Sequence, residues 1–147
     1  MAERVAAVLG ISSGLGAAVA RRFAREGFAL GLLTRREESL SAVREEIEDA
    51  GGETLAIQTN AADTESVARA FDRLHEGLGE PEVFVYNAGA FQMAGILELT
   101  PKLFDDSWKA NCAGAFYGAQ QVLPAMVKRG SGTVIFTGGD SRVAGLG

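Results

Sequence analysis

Short apolar runs alternate with longer amphipathic segments along the chain, and this order limits the fold more than any other feature. The apolar runs are predicted to be β-strands and cover residues 5–9, 28–33, 55–58, 83–86 and 133–137. The longer segments are predicted to be helices and cover residues 15–26, 37–50, 64–78 and a region that begins at Thr100. Continuous apolar strands that alternate with helices are typical of a parallel sheet. We therefore expect an α/β fold, a doubly wound, Rossmann-like parallel sheet of about five strands with helices on both faces.

Capping residues mark two of the helix starts. Asp63 precedes the segment at 64–78 and is predicted to be its N-cap, since a carboxylate there can accept a hydrogen bond from a free backbone N–H. Thr100 and Pro101 are predicted to be the N-cap and first residue of the last helical region.

Composition excludes several classes of function. The 147 residues are expected to form one domain with its own core. A net charge of −5 argues against a nucleic-acid partner, because affinity for a phosphate backbone depends on clustered Lys and Arg. The single cysteine, Cys112, has no partner for a disulfide or a metal site, so we expect no metal and a cytoplasmic location. No apolar stretch approaches the ~20 residues of a membrane helix, so no membrane partner is expected.

Three glycines lie between the first predicted strand and the first predicted helix, in the segment Gly10-Ile11-Ser12-Ser13-Gly14-Leu15-Gly16. Glycine permits a positive φ and lets a ligand approach the backbone closely. The start of a helix presents unpaired N–H groups and the positive end of its dipole to a pyrophosphate, and the two serines can add hydroxyl donors. A glycine-rich turn without a ligand is the alternative, but the flanking strand and helix favour phosphate binding.

A second candidate binding feature follows the second predicted strand, where the sequence is Thr34-Arg35-Arg36. A Rossmann site specific for NAD places an acidic residue near this point. Two guanidinium groups instead favour a 2′-phosphate, which they can hold bidentately. The segment therefore predicts that NADP(H) is preferred over NAD(H). The alternative is a solvated basic pair with Glu37 and Glu38 as its partners.

With these features in place, the sequence resembles the short-chain dehydrogenases/reductases. The family's G-x-x-x-G-x-G spacing is matched by Gly10, Gly14 and Gly16. Its N-A-G motif after the fourth strand is matched by Asn87-Ala88-Gly89, and its helix-four asparagine by Asn111. The resemblance extends over the whole chain and corresponds to the amino-terminal portion of the family's longer domain.

The resemblance implies further cofactor-binding residues. The family's adenine-contacting acid after the third strand corresponds to Asn60, with Ala61 beside it offering backbone groups. The three residues Asn87, Ala88 and Gly89 are expected to line the cofactor near its ribose. For Asn87 a simple turn-forming role is the alternative.

The resemblance also implies a catalytic group, of which this chain holds only part. In the family a Ser, a Tyr and a Lys act with the helix-four Asn, and Asn111 matches the last of these. Neither Tyr86 nor Tyr117 is followed four residues later by Lys. Ser141 is the hydroxyl nearest to the family's Ser, although one alignment puts Gly139 and another Arg142 at that position.

These expectations leave three functions open. The first is an oxidoreductase that transfers hydride between NADP(H) and a small-molecule carbonyl or alcohol, with residues 1–147 forming a dinucleotide-binding domain truncated before the Tyr/Lys helix. Such a chain is expected to be inactive alone. The second is a non-catalytic nucleotide-binding sensor or scaffold, and the third is a fragment without an independent role. Homo-oligomers are expected from the resemblance, with Phe104, Trp108 and Phe116 packing on the sheet or on a partner subunit, while Cys112 is expected to be a buried filler.

Overall fold

The computed structural model describes residues 2–12, 14–91 and 93–138. Its strands are β1 (Val5–Leu9), β2 (Ala29–Thr34), β3 (Thr54–Gln58), β4 (Val83–Tyr86) and β5 (Thr133–Phe136). Its α-helices are α1 (Leu15–Arg25), α2 (Ser41–Asp49), α3 (Thr64–Gly77), α4 (Pro101–Trp108) and α5 (Gly114–Arg129). Each predicted strand is present, and the observed bounds differ from the predicted ones by a residue or so.

The five strands form one parallel sheet in the order β3-β2-β1-β4-β5. In the central register, Leu9 of β1 lies opposite Leu33 of β2 and Tyr86 of β4. The chain leaves β1 toward one side of the sheet and resumes on the other with β4, which is the strand-order reversal at which such folds bind ligands. The doubly wound, Rossmann-like architecture is confirmed.

Helices cover both faces of the sheet, because successive side chains of each buried strand point to opposite faces. On one face, Ala6 and Val8 of β1 belong to the same apolar cluster as buried residues of α1 and α2. On the other face, Ala7 and Leu9 belong to a cluster that α3 and α5 complete. The core therefore consists of two apolar layers, one on each face of the sheet. The helices of neither layer cover the carboxyl ends of β1, β2 and β4.

Both predicted N-caps are present. The Asp63 side chain accepts a hydrogen bond of 3.0 Å from the N–H of Glu65, and Thr100 Oγ1 accepts one of 3.2 Å from the N–H of Leu103.

The predicted helix at 37–50 is wrong in its first turn, which is a 3₁₀ turn over Glu37–Ser39 followed by α2. Leu40, at the junction, is buried in the core, and the Ser41 hydroxyl donates to the carbonyl of Glu38. Because Leu40 must face inward, the backbone tightens before α2 begins.

The helical region after Thr100 is interrupted by a π-turn over Lys109–Ala113, which separates α4 from α5. The pattern of residues after Thr100 did not predict this interruption. A π-turn inserts one extra residue into the helical repeat, and such turns are frequent at functional sites.

Apolar side chains remain on the surface of the last elements. Phe104, Trp108 and Phe116 are each more than half exposed, so they do not pack on the sheet, and the alternative of packing on a partner subunit stays a prediction. In β5, which is the edge strand of the described residues, Ile135 and Phe136 are also exposed. None of the helices within the described ranges has the length and hydropathy needed to span a bilayer.

Candidate functional site

The glycine loop packs tightly against the start of the segment after β4. The Gly10 N–H donates to the carbonyl of Leu33 over 2.9 Å, and Gly10 has a φ of 97°. A Cβ at Gly10 would overlap the backbone of Ala88, and a Cβ at Gly16 would overlap the carbonyl of Gly10. These two glycines are therefore required by the packing of the protein itself.

Gly14 differs from the other two, because a Cβ there would meet nothing within 4 Å. It is the N-cap of α1, which has no side-chain cap and no acidic residue in its first turn. Ser12, two residues before it in the chain, is exposed, as is Leu15, while Ser13 lies outside the described residues. The start of α1 thus combines open space with the partial positive charge of unpaired N–H groups, which is the environment that an anion requires.

Asn87 ties the glycine loop to the strands around it. Its backbone N–H donates to Leu9, and its side-chain Nδ2 donates to the carbonyl of Gly10 over 2.9 Å. Its Oδ1 accepts a hydrogen bond of 2.8 Å from the Thr137 hydroxyl. The side chain is therefore satisfied within the protein and holds β1, β4 and the chain after β5 together.

Thr34 and the two arginines that follow it occupy different environments. Thr34 is buried, and its hydroxyl donates to the carbonyl of Ile11 over 3.0 Å, which supports the glycine loop from beneath. Arg35 and Arg36 are exposed at the end of β2. The two guanidinium groups are thus accessible to a ligand, whereas the threonine hydroxyl is already engaged.

Asn60 lies at the carboxyl end of β3, where its side chain organises a turn. Its Oδ1 accepts a hydrogen bond of 3.1 Å from the N–H of Ala62, and its own N–H donates to Ser66 Oγ over 2.9 Å. The adjacent carbonyl of Ala61 lies so close to Gly114 that a Cβ there would overlap it. One side-chain oxygen lone pair and the amide of Asn60 remain available for a ligand.

The π-turn directs Asn111 toward the chain that follows β4. The Asn111 Nδ2 donates to the carbonyls of Ala90 and Ser107 over 2.7 and 2.9 Å. Its Oδ1 accepts a hydrogen bond of 3.3 Å from the Ala90 N–H, and a Cβ at Gly89 would lie 2.8 Å from the same oxygen. Asn111 therefore fixes the position of the segment after Asn87, which borders the site.

Tyr86 supports the π-turn from β4, because its hydroxyl donates to the carbonyl of Ala110. Burial raises the pKa of Tyr86 to about 12, so the phenol keeps its proton and remains a donor at neutral pH. Cys112, one residue beyond Asn111, is exposed. The expectation of a buried cysteine is wrong, since the extra residue of the π-turn rotates this position away from the core.

A groove of about 570 Å³ runs across the carboxyl ends of β1, β2 and β4, and we call it the strand-end groove. Most of the predicted binding residues line it, namely Gly10, Ser12, Thr34, Arg35, Asn60, Ala61, Asn87, Ala88 and Gly89. Gly14, Gly16, Leu15 and Arg36 lie near it in sequence but are not among its lining residues, and Ser141 lies outside the described residues.

Sequence reasoning missed two charged residues of the strand-end groove. Lys102 and Asp106 of α4 line it and form an ion pair at 2.6 Å. The pKa of Asp106 is lowered chiefly by its hydrogen bond from Lys102, with smaller contributions from Lys109 and Arg35. Their i,i+4 spacing after the Thr100 cap was a signal for the pair, but not for its location. Within the described ranges, no three His, Cys, Asp or Glu side chains cluster in a way that could hold a metal ion.

Comparison with known proteins places this geometry in a family. Residues 4–145 match the family described as short chain dehydrogenase. A metagenomic short-chain oxidoreductase solved in complex with NADP is 29% identical to this chain, with a TM-score of 0.89, and the match covers 97% of this chain and 66% of that one.

Two curated relatives match at similar identity. A 2,5-dichloro-2,5-cyclohexadiene-1,4-diol dehydrogenase from Sphingobium indicum is 33% identical over 135 residues, which is 92% of this chain and 54% of the relative. A 3-oxoacyl-(acyl-carrier-protein) reductase from Staphylococcus aureus is 31% identical over 131 residues, which is 88% of this chain and 53% of the relative. The chain thus spans about half the length of both relatives.

Proposed function

The chain belongs to the short-chain dehydrogenase family, and from that premise we propose that it forms the NADP(H)-binding domain of an oxidoreductase. The reaction is hydride transfer between the nicotinamide and a small carbonyl or alcohol substrate. The observation that carries the proposal is the open start of α1 at Gly14, above a glycine loop that Asn87 and Thr34 hold in place.

The residues that line the strand-end groove, together with the neighbouring start of α1 and Arg36, have the chemistry that a dinucleotide needs. The backbone N–H groups at Gly14, Leu15 and Gly16, with the hydroxyls of Ser12 and Ser13, would hold the pyrophosphate. Asn60 and Ala61 would contact the adenine, and Ala88 and Gly89 would border the ribose. Arg35 and Arg36 would bind a 2′-phosphate, which favours NADP(H) over NAD(H). When bound, the nicotinamide supplies or accepts the hydride.

Within the described residues we assign one member of the family's catalytic group, Asn111. Ser141, outside those residues, is a further candidate. Asn111 holds the Ala90 backbone through both of its amide atoms, so its role here is to shape the substrate side of the groove. Proton transfer to a carbonyl requires an acid poised near the working pH. Tyr86 is unsuited to that task, because burial raises its pKa to about 12. We therefore propose that the 147 residues alone bind cofactor but do not turn it over.

The proposal is tested by titrating the protein with NADPH and NADH while following nucleotide fluorescence. We expect NADPH to bind more tightly than NADH. The variant Gly14→Val adds a side chain where the fold has room and the pyrophosphate needs it, so NADPH affinity should fall by at least about tenfold, or 1.4 kcal/mol.

The variant Ser131→Val serves as the control, since Ser131 is exposed before β5, at the amino ends of the parallel strands and thus at the opposite end of the sheet from the site. It should bind NADPH like the unchanged protein. Equal NADPH affinity for Gly14→Val and the unchanged protein, with both folded in a thermal melt, would contradict the proposal.

A non-catalytic nucleotide-binding role is the second candidate function. It is favoured by the complete glycine loop together with the lack of a Lys four residues after either tyrosine. Turnover of NADPH by this chain with any member of a carbonyl panel would exclude it. In both cases we propose a cytoplasmic protein, on the basis of its single cysteine, and a homo-oligomer, on the basis of the exposed aromatic residues of α4 and α5.

A further inference from the structure

A second groove, of about 500 Å³, adjoins the strand-end groove beside the edge strand β3. We call it the arginine groove, because its rim carries Arg35 at the end of β2 and Arg69 and Arg73 on α3. Its floor is formed by Ile57 and Ala70, which are buried. The two grooves share Arg35, Thr59 and Asn60 in their linings, so they are continuous with each other.

The charge of this groove is unusual for the chain that contains it. The whole protein has a net charge of −5, yet three guanidinium groups border one opening. Arg69 and Arg73 are spaced i,i+4 on α3 and therefore project from the same face of the helix. Such a concentration of positive charge costs free energy through mutual repulsion unless an anion is present to offset it.

The arginine groove has little internal compensation for that charge. Among the described residues its one salt bridge joins Arg69 to Glu65 at 3.5 Å, and both side chains are well exposed. An exposed i,i+4 pair of this kind contributes little, so Arg69 can exchange Glu65 for a stronger anion at small cost. Within the described ranges neither Arg35 nor Arg73 forms a salt bridge, and Asp106, which interacts electrostatically with Arg35, is already paired with Lys102.

Hydrogen bonds at the junction of the two grooves hold the backbone at Arg35 and at Asn60. Gln58 Nε2 donates to the Arg35 carbonyl over 3.3 Å, and the Asn60 N–H donates to Ser66 Oγ over 2.9 Å. These bonds hold the ends of β2 and β3 and the start of α3 in one arrangement. A dinucleotide in the strand-end groove would therefore reach the arginine groove at Arg35.

We propose that the arginine groove receives the phosphate monoester that distinguishes NADP(H) from NAD(H), and that Arg69 and Arg73 bind it together with Arg35. This inference rests on the proposed function and adds two specificity-determining residues from α3. A phosphate dianion can accept bidentate, charge-assisted hydrogen bonds from several guanidinium groups at once. NAD(H) lacks this group and gains nothing from α3.

The test compares Kd values for NADPH and NADH in the unchanged protein, in Arg69→Gln, in Arg73→Gln and in the double variant. Each single variant should raise the Kd for NADPH about threefold to tenfold. A change of this size lies between the effect of losing an exposed ion pair and the effect of losing a charge-assisted hydrogen bond. The Kd for NADH should stay unchanged. Arg22→Gln is the matched control, because Arg22 is an exposed arginine in an i,i+4 pair with Glu26 at the far end of α1.

Competition with inorganic phosphate tests whether the anion bound by the arginine groove is the phosphate of the nucleotide. Phosphate should weaken NADPH binding but not NADH binding, and the double variant should lose this competition. If inorganic phosphate and NADPH bind at the same time without competing, the arginine groove binds a separate anion and the proposal is overturned.

Two further outcomes are distinguishable from each other. If the unchanged protein binds NADPH and both arginine variants bind it equally well, the role of Arg69 and Arg73 is overturned but the proposed function is not. An unchanged protein that binds neither nucleotide would contradict the proposed function, and the inference with it. A thermal melt of each variant shows that the exposed substitutions leave the fold intact.

Discussion

Single residues around the glycine loop divide into those that hold the loop and those that leave it open. Asn87 and Thr34 direct their polar atoms at backbone groups of the protein, and Gly10 and Gly16 leave room for that packing. Of the three glycines of the loop, Gly14 is the one at which a Cβ would meet nothing within 4 Å. A rigid loop with one open position is preorganised for a ligand, since little conformational entropy is lost when the ligand binds.

This division predicts that Asn87→Ala destabilises the protein even without a ligand. The substitution removes the hydrogen bonds to Gly10 and Thr137, at a cost of about 1–3 kcal/mol in the free energy of unfolding. Denaturant unfolding followed by circular dichroism measures the change. Thr137→Val is the comparison, because it removes the hydroxyl that donates to Asn87 Oδ1 and to the Tyr86 carbonyl and leaves the Asn87–Gly10 bond in place. An Asn87→Ala variant that loses no stability relative to the unchanged protein would refute the role of the Gly10 bond.

At the scale of secondary structure, the π-turn between α4 and α5 sets the geometry of the substrate side. The Tyr86 hydroxyl holds the Ala110 carbonyl, and the next residue, Asn111, holds Ala90. Gly114 lets the following turn approach both Tyr86 and the carbonyl of Ala61. The strand β4 therefore supports the turn on one side, and the turn in return fixes the segment that leaves β4.

The buried phenol of Tyr86 predicts a loss of stability at high pH. Its pKa rises from the ordinary value of 10.0 to about 12 in the folded protein, chiefly because burial disfavours the phenolate. The contribution of Tyr86 to the free energy of unfolding is thus fully present below pH 10. Above pH 10 the Tyr86 phenol ionises in the unfolded chain before it does so in the folded protein, so the free energy of unfolding should fall until about pH 12.

Denaturant unfolding at a series of pH values measures this fall, and Tyr86→Phe is the control. The variant should be less stable by about 0.5–1.5 kcal/mol at neutral pH, because it loses one hydrogen bond, and its decline above pH 10 should be shallower. Parallel curves for the two proteins would contradict the assignment.

At the scale of the whole molecule, the described surface carries apolar residues on α4, α5 and β5. Phe116 and Val127 of α5 are 60% and 76% exposed, and Phe136 of the edge strand β5 is 57% exposed. Apolar surface of this kind, next to unpaired strand edges, favours association. The molecule is therefore expected to bury these residues against other protein surfaces.

We predict that the protein self-associates in solution, with Val127 in the contact. Val127→Lys places a charge in that contact and should shift sedimentation velocity profiles toward the monomer. Gln120→Lys, which adds the same charge at an exposed polar position of α5, is the control and should leave the profile unchanged. A monomeric unchanged protein would rule out the contact.

Most of the fold could be predicted from the sequence because its signals are local. The apolar runs that became β1 to β5 and the caps at Asp63 and Thr100 depend on residues a few positions apart. The glycine spacing at 10, 14 and 16 likewise predicted a loop at the start of α1. Binding by Arg35, Arg36 and the glycine loop stays a prediction until the titrations are made.

The remaining features were decided by the tertiary structure, since they join residues far apart in the chain. Asn87 meets Gly10 across 77 positions, and Tyr86 meets Ala110 across 24, so no local pattern could reveal the Asn87 hydrogen bonds or the π-turn. The same reason explains why Cys112 was wrongly expected to be buried and why Arg69 and Arg73 were not linked to Arg35. Local propensity and periodicity are written into neighbouring residues and therefore specify which segments are strands and helices, whereas packing between distant segments decides which side chains meet at the site.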